Sequence, residues 1–228
     1  MLIQEADLAA APITVSEDRR RAVDFTRAFM NFGTDVLIKK PRAENNGTTQ
    51  TPPLPTISSV SDLAGQTAIK YGVMGNGRTA EFFRTSEDPA YKQMWNEMSS
   101  SPGYGTVGST AEGVRLVRES DGRYAFIIEG TTAGYWVGRK PCDLARLDGK
   151  MDSREYALAV RRDRDDDLWA KLDDALRQME ENGELEALRH KWWVEKSECN
   201  AASSFIAAGS LMVITAITVL AAAAFPQL

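Results

Sequence analysis

Apolar runs and amphipathic stretches alternate along residues 57–199, and this alternation predicts the fold class. Short apolar runs at 67–71, 124–128 and 157–160 have the length and composition of buried strands. Helical periodicity marks the segments between and after them, at about 79–84, 89–98, 110–118, 166–181 and 184–193. Strands that alternate with helices predict an α/β fold with an open, mainly parallel sheet that is covered on both faces.

Local signals support several of these boundaries. Ser109 and Glu112 have the spacing of a capping box, in which each side chain accepts a hydrogen bond from the other residue's backbone N–H. Residues 61–64 (SDLA) also open with a capping residue, and the pair at 182–183 (NG) separates the last two helices. The segment 72–77 (GVMGNG) predicts a turn between a strand and the helix that follows it.

Two positions in this pattern are candidates for ligand binding, because ligands in such folds sit beyond the carboxyl ends of strands. The Gly-rich turn at 72–77 brings backbone N–H groups to a helix start near Thr79, which favours an anion. Glu129 ends an apolar strand, where a carboxylate is costly unless it meets a cation. The glycine spacing is neither a P-loop nor a dinucleotide fingerprint. An ordinary tight turn and a surface carboxylate therefore remain alternatives.

The C-terminal run 205–225 predicts a transmembrane helix. It holds 21 residues without a charge, against ~20 that a helix needs to cross a bilayer. A buried globular helix is the alternative, but the run lacks the polar stripe of such a helix. Residues 1–7 do not resemble a signal peptide, and Lys191 and Lys196 precede the run while no Lys or Arg follows it. By these signals alone we expect a tail-anchored product whose domain stays in the cytosol.

Residues 41–56 form a low-complexity segment that divides the chain into two parts. This segment holds four prolines and four threonines and is poor in apolar residues, so it is interpreted as a flexible linker. It contains the glycosylation sequon that begins at Asn46, which is used only in the secretory pathway. The predicted organisation has four parts: 1–40, the linker 41–56, the α/β segment 57–200 and the membrane helix 205–225.

Composition excludes several function classes. The net charge of −5 and the pI near 5.1 provide no basic surface for nucleic acid. No nucleophile–base pair, metal cluster or close carboxylate pair stands out, so the sequence predicts neither an enzyme nor a cofactor. His190 is interpreted as a surface residue without a metal or catalytic role.

A continuous series of motifs resembles the ligand-binding domain of ionotropic glutamate receptors of the AMPA and kainate type. The resemblance covers about residues 5–41 and 57–199. Its pieces are 7–19 (DLAAAPITVSEDR), 22–26 (AVDFT), 33–41 (GTDVLIKKP), 61–64 (SDLA), 69–72 (IKYG), 79–83 (TAEFF), 94–95 (MW), 110–114 (TAEGV), 124–126 (YAF), 139–142 (RKPC), 191–193 (KWW) and 198–199 (EC). It implies a periplasmic-binding-protein-like clamshell with a partial first lobe, most of the second lobe and the final membrane helix.

The resemblance also implies how an acidic amino acid would be bound. Arg19 would hold the α-carboxylate through its two-pronged guanidinium group, supported by the backbone of Thr14. The α-ammonium would be received by the Pro12 carbonyl and by Glu129. Pro12 suits this role because its fixed φ holds the carbonyl rigidly.

The distal carboxylate would lie on the helix N-terminus at Arg78 and Thr79, with the Thr79 hydroxyl as a donor. Arg78 departs from the family pattern, in which a small residue is usual at this position. Its backbone N–H can still serve, but the long cationic side chain can crowd the pocket or add a salt bridge. The resemblance further implies a disulfide between Cys142 and Cys199, whereas a cytosolic location would leave both thiols reduced.

The function implied is part of a glutamate-gated cation channel, opened when an acidic amino acid binds between two lobes. The implied partners are L-glutamate or a similar amino acid, other receptor subunits (a tetramer in the family) and the lipid bilayer. In a complete receptor, residues 1–200 would be extracellular at a postsynaptic plasma membrane. The linker stands where the family has its pore helices, and the aromatic residue that covers the ligand would lie before Met1. An amino-acid-binding module of a transporter and a tail-anchored, non-binding fragment are the alternatives.

Overall fold

The computed structural model describes residues 6–40, 57, 60–147, 152–162 and 167–199. The predicted linker, Asn46 and the predicted membrane helix at 205–225 lie outside these residues. Within the described ranges, no helix combines the length and the apolar character that crossing a bilayer requires.

Strands and helices alternate along most of the described chain. The strands are β1 (Leu8–Thr14), β2 (Val23–Phe25), β3 (Met30–Phe32), β4 (Thr34–Lys39), β5 (Lys70–Met74), β6 (Thr106–Val107), β7 (Tyr124–Glu129), β8 (Leu144–Leu147) and β9 (Arg154–Arg161). The helices are α1 (Glu17–Arg20), α2 (Val60–Ala64), α3 (Arg78–Thr85), α4 (Pro89–Ser99), α5 (Thr110–Glu119), α6 (Gly130–Val137), α7 (Leu168–Glu181) and α8 (Glu184–His190), the last continuing into a π-helical turn (Lys191–Glu195).

The larger sheet has the strand order β6-β5-β7-β4-β8 and is mixed rather than mainly parallel. β5 pairs in parallel with β6 and β7, whereas β4 pairs antiparallel with β7 and β8. The prediction of a mainly parallel sheet was wrong because β4 comes from the first segment of the chain and inserts between β7 and β8. Helices do cover both faces of this sheet, as predicted.

The two cores of this layer follow from the alternation of side chains along the strands. Val36 faces the core beneath α2, α3 and α4, together with Leu63, Phe83 and Met94. Its neighbour Leu37 faces the opposite core, beneath α5 and α6. Because successive strand residues point to opposite faces, a central strand buried on both sides is apolar throughout.

Two local predictions need correction. β5 extends to Met74, so Gly72 lies within a strand rather than opening a turn. A Cβ at Gly72 would lie 2.0 Å from the Tyr104 carbonyl oxygen, so this glycine allows close approach of two backbones. At α5, the Ser109 hydroxyl accepts from Glu112 N–H at 3.2 Å, but the Glu112 carboxylate accepts from Gly108 N–H at 2.9 Å. The reciprocal bond of the capping box is therefore displaced by one residue.

A smaller antiparallel sheet is built around β9, which pairs with β1, β2 and β3. Its buried core is small and consists of Val23, Phe25, Ala157 and Ala159. Polar contacts attach α7 to this sheet. Trp169 Nε1 donates to the Phe25 carbonyl at 2.9 Å, and Arg27 pairs with Asp173 at 3.1 Å.

Candidate functional site

Arg19 is held at the end of β1 by the turn that starts α1. Ser16 caps this helix, its hydroxyl accepting from Arg19 N–H at 3.4 Å. The Arg19 guanidinium then reaches back, and Nη1 donates to the Thr14 carbonyl at 2.8 Å. The short helix and this one hydrogen bond fix the position of the cation over the edge of the smaller sheet.

The two arginines that follow have different surroundings. Arg20 and Arg21 lie 3.8 Å and 3.7 Å from the carboxylates of Glu17 and Asp18, three residues earlier in the chain. Such exposed pairs contribute little to stability. The contact to β1 distinguishes Arg19 from its neighbours.

The start of α3 presents backbone donors. Gly77 N–H is bonded to the Met74 carbonyl at 3.1 Å, and the helix's own hydrogen bonds begin with Glu81 N–H to the Gly77 carbonyl at 3.2 Å. The amides of Arg78 and Thr79 precede this first helical bond and therefore point out of the helix end. Thr79 is buried, 5% exposed. This is the arrangement that the sequence predicted for an anion.

The Arg78 side chain folds back on its own helix. Its Nη1 lies 2.8 Å from Glu81 Oε2. This hydrogen bond is the largest influence that lowers the pKa of Glu81, and the charge of Arg19 lowers it further.

One cavity of about 360 Å³, here called the Arg154 cavity, lies between β1, α3 and the start of β9. Its lining includes Thr14 from β1 and Arg78 from α3, two residues that the sequence assigned to one site. Arg154 and Phe82, which the sequence did not single out, line it as well. Arg154 was missed because a lone arginine at a strand start carries no distinctive pattern.

Glu129 has a different partner from the cation that its position predicted. Tyr156 on β9 donates its phenol hydrogen to Glu129 Oε2 at 2.5 Å, and Thr131 Oγ1 lies 3.4 Å from the same hydroxyl. Burial raises the pKa of the Tyr156 hydroxyl, and the hydrogen bond to Glu129 raises it further. Tyr156 therefore stays protonated and orients the carboxylate.

A second cavity of about 550 Å³, the Tyr156 cavity, has a largely apolar lining. Pro12 lines it together with Tyr156, Thr132 and Trp193. Pro12 sits where the pairing of β1 with β9 is irregular, between Ala9 and Ile13. Proline suits such a place because it has no N–H to donate to the ladder.

Three of the six predicted ligand residues line one of the two cavities. Thr14 and Arg78 line the Arg154 cavity, and Pro12 lines the Tyr156 cavity. Arg19 is bonded to Thr14, Thr79 follows Arg78 in the chain, and Glu129 accepts from Tyr156, which lines the second cavity. The structure does not place all six in one cavity.

A disulfide joins Cys142 and Cys199, whose Cα atoms lie 5.4 Å apart. Beside it, Lys140 N–H donates to Glu198 Oε2 at 3.0 Å, and Glu198 N–H donates to the Gly138 carbonyl at 2.7 Å. This backbone hydrogen bond from Lys140 is the main cause that lowers the pKa of Glu198. The disulfide implied by the family resemblance is thus present.

Comparison with known proteins identifies the family of this chain. The sequence model of bacterial extracellular solute-binding proteins, family 3, matches residues 2–195. Glutamate receptor 3 of Mus musculus is 40% identical over 148 residues, which is 65% of this chain and 16% of the receptor. Glutamate receptor 3 of Homo sapiens is 39% identical over 145 residues, with 64% and 16% coverage. The chain thus spans about one sixth of the length of these curated relatives.

A solved structure described as Drosophila muscle GluRIIB complex with glutamate aligns with a TM-score of 0.70 and 31% identity. The alignment covers 83% of this chain and 69% of that chain. It confirms the predicted α/β, periplasmic-binding-protein-like fold. The matched proteins are receptors and solute-binding proteins, not enzymes, which agrees with the prediction of no enzymatic activity. This chain belongs to the family of bacterial extracellular solute-binding proteins, family 3, and resembles the ligand-binding domain of ionotropic glutamate receptors.

Proposed function

We propose that this chain is part of a glutamate-gated cation channel and binds L-glutamate or a similar acidic amino acid between two lobes. The observation that carries the proposal is the convergence of β1 and α3. Thr14 and Arg78 line one cavity, and the Arg19 guanidinium is anchored on the Thr14 carbonyl. A relative of 31% identity with the same fold was solved in complex with glutamate.

The carboxylates of the ligand would have two separate binding points. Arg19 has one Nη atom on Thr14, and its remaining donors are suited to a planar, two-pronged bond with the α-carboxylate. The amides at Arg78 and Thr79, at the positive end of α3, would hold the distal carboxylate. The Arg78 side chain leaves these amides accessible in this proposal because it pairs with Glu81.

The ammonium group would be received on the other side of the site. Glu129 carries the required negative charge, and Tyr156 fixes its orientation. The Pro12 carbonyl lies in the irregular part of β1. Since Pro12 and the Tyr156 partner of Glu129 line the Tyr156 cavity, the ligand would connect the two cavities when the lobes close on it.

The assembly and location are part of the same proposal. Other receptor subunits and the lipid bilayer are the partners, and the postsynaptic plasma membrane is the location, with residues 1–200 extracellular. Glutamate receptor 3 supports this assignment as a relative. The disulfide supports it as well, because such bonds persist in oxidising compartments.

A receptor chimera tests the proposal. The segment of mouse glutamate receptor 3 that matches this chain is replaced by the corresponding residues of this chain, and glutamate-evoked current is recorded. Arg19→Lys should abolish the current, because an ammonium cannot form the two-pronged bond. Arg20→Lys is the matched control and should leave it intact, since the Arg20 side chain lies by Glu17 and over the Phe25 ring and has no bond to β1 among the described residues. Equal loss in both variants would refute the assignment of Arg19.

An amino-acid-binding module of a transporter is the second candidate, favoured by the match to bacterial solute-binding proteins. The chimera separates the two candidates. A binding module would bind glutamate in the chimera, by radioligand assay, without opening the channel. Neither binding nor current in a chimera that reaches the cell surface would favour the non-binding fragment.

A further inference from the structure

Arg118, near the C-terminal end of α5, joins this helix to the loop that follows α6. Its Nε donates to Asp143 Oδ1 at 3.1 Å, and its Nη2 donates to the Lys140 carbonyl at 3.1 Å. Its Cζ lies 5.8 Å from the centre of the Trp136 ring, a cation–π distance. The side chains of Arg118 and Asp143 are 24% and 27% exposed, so their ion pair is partly shielded from water. Hydrogen bonds between such charged groups are stronger than those between neutral groups.

The same loop holds the end of β4, after which the chain continues into the predicted linker. Lys40 N–H donates to the Asp143 carbonyl at 2.7 Å, and Lys40 Nζ donates to the Cys142 carbonyl at 2.9 Å. Lys39 Nζ donates to the Arg118 carbonyl at 2.6 Å. Arg118 therefore contacts β4 through its carbonyl and the loop beside Lys40 through its guanidinium.

A second point of the chain is fixed at the same place. The disulfide connects Cys142, the neighbour of Asp143, to Cys199, the last residue that the structure describes. The chain leaves the described segments after Lys40 and after Cys199, and these two exits lie in one group of residues. This group, here called the exit cluster, consists of Lys40, Arg118, Lys140, Cys142, Asp143 and Cys199.

β4 connects the exit cluster to the candidate ligand site. Its first residue, Thr34, pairs with Glu129, and its last residue, Lys39, pairs with Leu144. The first four residues of the strand are buried, and β4 lies between β7 and β8. Closely packed interiors transmit strain. A displacement at Glu129 is therefore carried along β4 to Lys40, provided that Lys40 stays fixed to the sheet.

We propose that Arg118 is a positioning residue that fixes both chain exits to the larger sheet, so that ligand binding at Glu129 moves the exits together with the sheet. Lys40 lies beyond the last residue of β4, and strand ends open more easily than strand centres. Arg118 opposes this opening because it holds the loop that accepts from Lys40. The inference rests on the proposed function, in which ligand binding opens a channel. It goes beyond that function because Arg118 lines neither cavity.

Hydrogen exchange of the Lys40 backbone N–H, in the full chain in detergent micelles, tests the role of Arg118 in holding the exit. Arg118→Met should speed this exchange by about tenfold, the ratio that corresponds to one hydrogen bond to a charged group. Arg115→Met is the matched control on the same helix, since Arg115 is exposed and pairs with Glu119 one turn away. It should leave the exchange unchanged. Equal exchange in both variants would overturn the proposal.

A second variant keeps this test decisive if Arg118→Met does not fold. Asp143→Ala removes the carboxylate that accepts from Arg118 but keeps the carbonyl that accepts from Lys40. It should speed the exchange of Lys40 as Arg118→Met does. The double variant should exchange no faster than either single variant, because both substitutions break the same contact. Additive effects would contradict the assignment.

The receptor chimera tests whether the exit cluster carries movement. Arg118→Met should lower the ratio of open to closed channels at saturating glutamate by about two- to thirtyfold. The glutamate bound per surface receptor at saturation should stay the same, whereas a purely structural role would reduce it. An unchanged ratio would overturn the coupling role. If the unmodified chimera neither binds nor conducts, the proposed function fails, and the exchange of Lys40 still decides whether Arg118 holds the exit.

Discussion

At the scale of single residues, a hydrogen bond between Glu129 and Tyr156 connects the two sheets. Glu129 ends a strand of the larger sheet, and Tyr156 lies on the central strand of the smaller one. Their hydrogen bond at 2.5 Å joins the two layers at the candidate site. A carboxylate that ends an apolar strand is thereby stabilised by a neutral donor.

Tyr156→Phe tests this pair. The variant keeps the ring, which stacks on Phe32 with centroids 4.0 Å apart, but removes the donor to Glu129. A hydrogen bond to a charged group contributes about 1.5–3 kcal/mol, so the free energy of unfolding should fall by about this amount. Urea unfolding of the full chain measures it. Tyr135→Phe, whose ring is 41% exposed, is the control and should change little. Equal effects would mean that the Tyr156 hydroxyl contributes nothing specific.

At the scale of elements, α7 is tied to the smaller sheet by a polar contact more than by buried apolar surface. Leu176 is its buried residue, whereas Trp169 is 43% exposed. Asp173 accepts from Arg27 N–H at 2.5 Å and from the Arg27 guanidinium at 3.1 Å. Burial acts to raise the pKa of the Asp173 carboxyl, but the hydrogen bonds from Arg27 outweigh it and hold the pKa below its ordinary value of 3.8.

The pH dependence of α7 docking follows from this shift. A carboxyl whose pKa is lowered in the folded state adds stability above its unfolded pKa, and this stability is lost as pH falls through the folded pKa. Asp173→Asn should therefore lower Tm at pH 7, and its difference from the unmodified chain should shrink as pH falls below 3.8 and through the folded pKa. Glu181→Gln is the control, because Glu181 is 59% exposed and pairs within its own helix. A pH-independent difference would contradict the role of the Asp173 charge.

At the scale of the whole molecule, the chain is interleaved. β4, from the segment before the linker, lies inside the larger sheet, and β9, from the segment after it, lies at the centre of the smaller sheet. The disulfide between Cys142 and Cys199 adds a covalent loop of sequence separation 57 across the second segment. Loop-closure entropy assigns about 4 kcal/mol to a loop of this length, as an upper value.

Removal of the disulfide should therefore destabilise the second segment measurably. In the double variant Cys142→Ser and Cys199→Ser, the free energy of unfolding should fall by about 2–4 kcal/mol, measured by urea unfolding. The unmodified chain with a reducing agent should unfold at the same urea concentration as the double variant. If the reduced and the oxidised chain have the same urea midpoint of unfolding, the disulfide does not constrain the unfolded state.

The sequence predicted most helices closely because their signals are local. Pro at the first turn and an Asp cap define α4, and the helix predicted at 89–98 is Pro89–Ser99 in the structure. Periodicity at 184–193 gave a helix that actually ends at His190 and continues as a π-helical turn. The periodicity of apolar residues does not reveal such a change from α-helical to π-helical hydrogen bonds.

Ligand residues were predicted less completely because their grouping is not local. Arg19 could be chosen only through the family resemblance, since three adjacent arginines look alike in sequence. The structure distinguishes it by its bond to Thr14. Arg154 has no distinctive pattern in the sequence around it. The structure shows that its guanidinium is buried and that its Nη atoms have no hydrogen-bond partner among the described residues.

The sequence by itself determined the alternation of elements, the caps, the α/β class and the helix start after the Gly-rich turn, since each depends on residues within a few positions of one another. The tertiary structure alone decided that β4 enters the larger sheet antiparallel, that Glu129 meets Tyr156, and that Thr14 and Arg78 line one cavity while Pro12 lines another. These features depend on contacts between residues far apart in the chain. Their free energy comes from burial and hydrogen bonding that arise only when the layers pack together.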